Sequence, residues 1–378
     1  MAIPLSIALA ILAALAIVNL TSPHSGIYTR LAESFLHGQL SYLNMPASGI
    51  LDLALFDGRL FCPFGVGPSI VAIPFIILTG EFPQGALNFI LVLATFYVTY
   101  RIALKSGYSS NDSVWLAIAF CFGTAFLEVA VFNWHIAHTA GTLFIVLALC
   151  EFVGKKRPWL IGLLIGGAMA NRPAMAINAL FFLGAFWFES RPVKERLARG
   201  VTLCACFALI AAPIALYNFA RFGNPLEFGY TYQMYSETLA HADWNVRGNI
   251  AGPLFALWHI PINLETFLLG LPDREHVGTS VLLMSPWLVY LIGGRRWERT
   301  DWLILANTII IATVMLAFRS TGFRQAGYRF SLEFMPLLFW LLLRRRTEIT
   351  ATFKSLILLA VAIDISLVVY FIAVRIVG

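Results

Sequence analysis

Charge is what this sequence has least of. Only 12% of its 378 residues are Asp, Glu, Lys or Arg, while 59% are hydrophobic. A soluble domain carries about 25% charged residues, so an ordinary soluble fold is excluded. The mean hydropathy of +0.79 points instead to a polytopic membrane protein. Length alone would suggest more than one soluble domain. Here apolar runs recur to the end of the chain, so one membrane domain over 1–378 is expected.

Cysteine is sparse as well. Of the five, Cys121, Cys150, Cys204 and Cys206 lie in apolar runs, where each serves as a small hydrophobe. Cys62 falls in the first long loop without an obvious partner. No disulfide framework or zinc spacing emerges. A glycine loop for nucleotides is also missing, because Gly162, Gly166 and Gly167 lack the strand-turn-helix setting and the lysine. No Ser/His/Asp constellation is visible. The first segment, 2–20, has neither a basic leader nor a small-residue cleavage site, so it reads as a retained span rather than a removed signal peptide.

The net charge of +6 does not indicate a nucleic-acid partner. Its basic residues sit in short blocks between apolar runs: Arg101 with Lys105, then 155–157, 191–199, 295–299 and 344–346. Such blocks mark cytoplasmic loops. Apolar segments fall at 2–20, 85–104, 113–131, 136–153, 158–171, 174–189, 200–218, 278–293, 301–318, 331–343 and 353–376. The fold class is therefore all-α, with about eleven transmembrane helices in a range of about 9–13. The segment 66–80 is short and carries Pro68 and Pro74. All five basic blocks share one side with the amino terminus only if 66–80 does not cross, so it reads as re-entrant or surface-lying. If it does cross, a weak span such as 158–171 or 174–189 is miscounted.

On this reading the amino terminus is cytoplasmic, the carboxyl terminus is outside, and two long loops, 21–83 and 219–277, lie on the non-cytoplasmic face. The short turns at 133–138, 171–173 and 319–330 join them. In the second loop, 254–271 is apolar, is interrupted by Pro261, and is expected in the interface plane.

The first loop opens with an amphipathic helix. Apolar residues at 27, 28, 31, 32, 35 and 36 share one face, and Arg30 and Glu33 lie on the other, close enough to pair. Asp52 and Asp57 follow among Leu, Ala and Phe. A carboxylate in such surroundings is costly to ionise and reads as a general base or a ligand for a substrate hydroxyl. Asp57-Gly58 is equally a turn dipeptide, whereas Asp52 carries no turn signal. His135 and His138 are spaced i, i+3 at the start of a span, with Glu128 as the nearest acid that could orient them. Two histidines could share a metal, but without a third ligand a wet, hydrogen-bonding pair is the simpler reading.

Arginines on the outer face run against the positive-inside bias: Arg172, Arg221, Arg247, Arg274, Arg319, Arg324 and Arg329. Their planar forks suit a lipid phosphate or pyrophosphate, with Arg324 and Arg329 the better placed. Contact with lipid headgroups accounts for Arg274 and Arg319.

Three stretches together resemble a known family. They are Tyr28…Leu31-Ala32…Gly38 with Leu51-Asp52-Leu53-Ala54 and Pro63-Phe64-Gly65; the run from Tyr217-Asn218 through Glu227 to Tyr230; and Gly327-Tyr328-Arg329-Phe330-Ser331-Leu332-Glu333-Phe334-Met335-Pro336. In these the chain resembles bacterial membrane glycosyltransferases of the GT-C superfamily, in the protein-mannosyltransferase-like branch. The resemblance implies two juxtamembrane helices in the first outer loop. It also implies transfer of a sugar, with inversion, from a polyprenyl-phosphate donor to an extracytoplasmic saccharide, lipid or protein acceptor of the cell envelope.

A bacterial inner-membrane location and surrounding membrane lipids follow from the same resemblance. Asp52, Asp57 or Glu33 would supply the base. Tyr28, Arg30, His135, His138, Arg172, Arg221, Glu227, Tyr230, Arg324, Tyr328, Arg329 and Glu333 would line the substrate face. No cofactor is assigned, and a divalent metal is left open. One departure stands out. The family places an acid just after the first span, where this chain reads Ser22-Pro23-His24-Ser25-Gly26. Asp52 or Glu33 would then take over the base role, or catalysis has been lost. The alternative is a non-catalytic binder or a flippase of lipid-linked saccharide on the same scaffold. The scarcity of acids deep in the spans, Asp364 apart, weighs against an ion-coupled carrier.

Overall fold

In the computed structural model the chain is a bundle of helices. Residues 2–22, 26–43, 53–233, 253–271, 279–293, 296–320, 325–345 and 347–377 are described. The helices are α1 (Ala2–Thr21), α2 (Ile27–Leu36), α3 (Gly67–Thr79), α4 (Gln84–Lys105), α5 (Ser110–Phe122), α6 (Phe126–Val131), α7 (Ile136–Val153), α8 (Pro158–Asn171), α9 (Asn178–Trp187) and α10 (Val193–Phe222). After the second long loop begins come α11 (His259–Leu269), α12 (Val281–Met284), α13 (Arg299–Ala317), α14 (Met335–Arg344) and α15 (Ala351–Val377).

Among the described residues six segments are long and apolar enough to cross a membrane: Ile3–Thr21, Gln84–Lys105, Asn133–Val153, Val193–Phe222, Arg299–Ala317 and Ala351–Ala373. α10 buries little of itself in the bundle and presents Leu209 and Leu216 outward. An apolar outer face of this kind suits lipid rather than water. α8 meets its neighbours through glycine. A Cβ on Gly162 would strike the Leu203 carbonyl, and one on Gly166 or Gly167 would come within 2.9 Å of Ile210 or 2.8 Å of Phe144. Small residues four apart let helix backbones approach closely where lipid offers no hydrophobic drive. The glycines that lacked a phosphate-binding context are thus packing residues.

The bundle has two chemically distinct ends. At one, Lys105 Nζ donates to Cys150 O, Arg199 to Lys156 O and Arg345 to Gly293 O, while Arg344 pairs with Glu298 and Asp301. The basic blocks picked out in the sequence meet here. At the other, Gln84 Nε2 donates to Asn133 O, Arg221 to Cys62 O and Arg172 to Glu333. α3 begins with Gly67 against Asn171, and the chain beyond it returns to Asn133 through Gln84. It therefore starts and finishes at this second end.

Several elements differ from the sequence expectation. The first loop contains a hairpin, β1 (Ala54–Phe56) and β2 (Arg59–Phe61), paired Ala54↔Phe61, Leu55↔Leu60 and Phe56↔Arg59. Asp57 and Gly58 have φ of 48° and 71°, the left-handed pair that a two-residue hairpin turn requires. Phe56, Phe61, Phe222 and Tyr232 pack over it. The span expected at 113–131 is broken between α5 and α6. The break is tolerated because the freed Gly123 carbonyl accepts from Ser285 Oγ and the Trp287 indole, both at 2.9 Å. The span expected at 278–293 is only α12 and a 3-10 turn over Pro286–Leu291, since Pro286 cannot continue a helix begun at Val281. Basic residues 193–199 lie within α10 rather than in a loop. α11 absorbs Pro261 in its first turn, where a missing N–H costs nothing. His259 Nδ1 and Asn263 Nδ2 tie α11 to the end of α13 through Ala317 O and Leu316 O.

Candidate functional site

The site end is built by three local chain reversals. The first is Asn171-Arg172-Pro173. A residue before proline is driven extended, and Arg172 has φ −139° and ψ 103°, which ends α8. Its guanidinium Nε donates to Glu333 Oε1 at 2.8 Å. Burial works against the Arg172 charge, but Glu333 with Tyr230 and Tyr28 nearby holds its pKa above the ordinary value.

The second reversal is the 3-10 turn Arg329–Glu333 ahead of α14. Residues three apart eclipse in such a turn, so Phe330 and Glu333 face the same way. The Arg172 guanidinium accordingly lies 5.4 Å from the Phe330 ring centroid while it pairs with Glu333. Arg329 comes within 5.3 Å of the same ring and donates to Gln325 Oε1 at 3.0 Å. Asn178 Nδ2 donates to the Glu333 carbonyl at 3.0 Å and fixes the turn against α9. The second oxygen of Glu333, Oε2, is buried without a hydrogen-bond partner.

The third reversal joins α6 to α7 through Asn133–His135. Glu128 accepts the Gly327 N–H at 3.0 Å on Oε2, and its Oε1 lies 3.8 Å from His135 Nε2. That separation is too long for a hydrogen bond. His135 Nε2 accepts the Trp134 indole N–H at 3.0 Å. His138 stacks on Phe330, ring centroids 6.3 Å apart, and leaves its buried Nε2 without a partner. Its ring meets that of His135 edge-on at 5.6 Å.

The first loop completes the wall. α2 buries Tyr28 against this end, and burial raises the Tyr28 hydroxyl well above its ordinary pKa. Tyr230 stands edge-on to Phe64 and to Phe318. Tyr328 is buried behind, against Phe267 and Phe330, and desolvation raises its pKa too.

Of the residues singled out in the sequence, Tyr28, His135, His138, Arg172, Tyr230, Tyr328, Arg329 and Glu333 therefore share one end with Glu128. Others stand apart. Glu33 is exposed on α2 and Arg30 is half-buried, and no ion pair joins them. Asp57 is exposed in the hairpin turn. Arg221 is occupied by local structure: Nη1 donates to Cys62 O and Nη2 to Asn218 Oδ1, both at 2.6 Å, and the guanidinium lies over Tyr217 at 3.9 Å. Glu227 closes its own turn by accepting from Gly229 N and Thr231 Oγ1. Asp52 and Arg324 lie outside the described residues, as do Arg247 and Arg274. In the sequence Glu128 reads only as an acid that could orient the histidines. An acid inside Phe126-Leu127-Glu128-Val129 was the signal for a larger role. Phe330, Gln325 and Asn178 gave no such signal.

Chemically, the arrangement offers two buried carboxylates with one open oxygen each, two guanidiniums and two imidazoles. Among the described residues no group of three His, Cys, Asp or Glu side chains could hold a metal ion.

No family model matches the chain, and no curated protein matches it in sequence. Among solved structures it is similar to the apo-form oligosaccharyltransferase of Archaeoglobus fulgidus, with a TM-score of 0.49 and 11% identity. The match covers 94% of this chain and 56% of that one, so the chain spans about half the length of that protein. A likeness of this degree says nothing about activity.

Proposed function

We propose that the chain is an integral membrane glycosyltransferase that moves a sugar from a polyprenyl-phosphate donor to an acceptor hydroxyl. The observation that carries this reading is the buried Arg172–Glu333 pair with Arg329 and Glu128 beside it. Cations and carboxylates walled by aromatic rings at the mouth of a bilayer bundle suit an anionic, lipid-borne leaving group and a hydroxyl that must lose its proton. The extracytoplasmic placement of this end and a bacterial inner membrane belong to the same proposal, supported by the collection of the basic blocks at the opposite end.

The chemistry is a single displacement. The acceptor O–H gives its proton to a carboxylate as its oxygen attacks the anomeric carbon. The bond from that carbon to the phosphate oxygen breaks, and the leaving phosphate keeps the electron pair beside the arginines. Inversion follows. Glu128, whose buried Oε1 has no hydrogen-bond partner, is the candidate base among the described carboxylates, and Asp52, outside the described residues, is the other candidate. Glu333 holds Arg172 in position.

Labelled polyprenyl-phosphate sugars and an envelope extract, supplied to the protein in lipid, test the reading. Transfer by the wild type that disappears in Glu128→Gln supports it, and loss in Asp52→Asn instead moves the base. Donor binding without transfer in any combination would favour the non-catalytic binder.

A further inference from the structure

The end of the bundle opposite the site holds a cavity of about 560 Å³ that the proposed transfer does not use. It opens between the ends of α4, α7, α9, α13 and α14. Its floor is apolar, with Phe152, Trp340 and Leu303, and its rim carries Lys156, Glu189, Glu298, Arg299 and Arg344. We infer that this cavity seats the phosphodiester headgroup of an anionic phospholipid, with the first acyl carbons against Trp340 and Phe152.

The charges on the rim are unequal in availability. Arg344 is fully engaged, 2.7 Å from Asp301 and 2.9 Å from Glu298. Glu189 is surrounded by three cations: Lys156 at 3.7 Å, Arg191 at 3.1 Å and Arg199 at 3.2 Å. Its charge is thus more than cancelled. Arg299 is exposed and makes no ion pair. Lys156 keeps 46% of its side chain exposed and lies 5.2 Å from the Phe152 ring centroid. The rim thus offers two available cations above an aromatic floor. This volume suits a small amphipathic ligand, and basic pockets between membrane helices recognise anionic headgroups. Lys156 also has φ of 54°, which an L side chain rarely adopts. A residue held there at a helix end, where glycine would be easier, contributes something glycine cannot.

The test is lipid retention. The full chain is placed in nanodiscs of equal parts phosphatidylglycerol and phosphatidylcholine, extracted with mild detergent, and its bound lipids are measured by native mass spectrometry. The wild type should retain phosphatidylglycerol selectively. Lys156→Gln and Arg299→Gln should each weaken retention roughly fivefold, and the pair about 25-fold. Arg299→Glu, on an exposed side chain with no partner to lose, should weaken it further while thermal stability stays unchanged. Equal retention of the two lipids, undiminished retention in the double variant, or displacement of the lipid by inorganic phosphate alone would overturn the assignment.

Discussion

Arg172 and Glu333 meet at 2.8 Å although 161 residues separate them. Both are withdrawn from the surface, and together they join α8 to the turn ahead of α14. Such a pair is costly to break from one side, since removing a partner strands the other charge, at about 3–5 kcal/mol. Arg172→Gln and Glu333→Gln should each lower thermal stability strongly. The double variant Arg172→Met/Glu333→Leu should recover most of the stability and none of the transfer. Thermal melting beside labelled-sugar transfer separates the two effects. A double variant that transferred sugar would remove the pair from the site.

Glu128 is the sharper test of chemistry. Its Oε2 is spent on Gly327, and its Oε1 is open 3.8 Å from His135. Glu128→Gln keeps the shape and the acceptor for Gly327 N–H but cannot take a proton. Turnover should fall by about 10²–10⁴-fold with donor binding intact. Single-turnover transfer and donor titration measure the two separately. Weakened donor binding with unchanged turnover would make Glu128 a structural acceptor.

Much of this arrangement was legible in the sequence because membrane proteins advertise their apolar runs and their stray charges. Arg172, Arg329 and the two histidines stand out against apolar surroundings, and the basic blocks distinguish the two ends of the bundle by residue type alone. Three things escaped for physical reasons. The hairpin at Ala54–Phe61 is shorter than any periodicity can register, and only Asp57-Gly58 signalled it. The broken crossings around Gly123 and Pro286 rely on Ser285 and Trp287 for their freed carbonyl, a partnership 162 residues or more apart in sequence. Arg221 and Glu227 could not be told in sequence from Arg172 and Glu333, because an arginine bracing its own loop has the same letter as one pairing across the bundle.

Arg221 makes that distinction measurable. Its fork spans the Cys62 carbonyl and Asn218, and its plane covers Tyr217. Lysine cannot reproduce a planar two-pronged contact. Arg221→Lys should lower stability by about 1–3 kcal/mol through the unmet buried acceptor, and leave donor affinity unchanged in the folded fraction. A stable variant with weakened donor binding would return Arg221 to the substrate face.

Tyr28 and Tyr42 give the pH dependence a sign. Both lie in the first loop, and burial raises both hydroxyls well above their ordinary pKa, with Cys62 adding to the effect. In the unfolded chain they ionise near pH ~10, so above that pH the folded state holds more protons than the unfolded one. Stability from these groups is therefore complete below about pH 10 and falls as pH rises beyond it. Phenylalanine has no proton to lose. Tyr28→Phe should flatten the decline in melting temperature on the alkaline side and leave the neutral plateau in place, apart from the lost hydroxyl contacts. Melting curves across that range check it, and an alkaline slope identical in the variant would show that Tyr28 reaches water through the site.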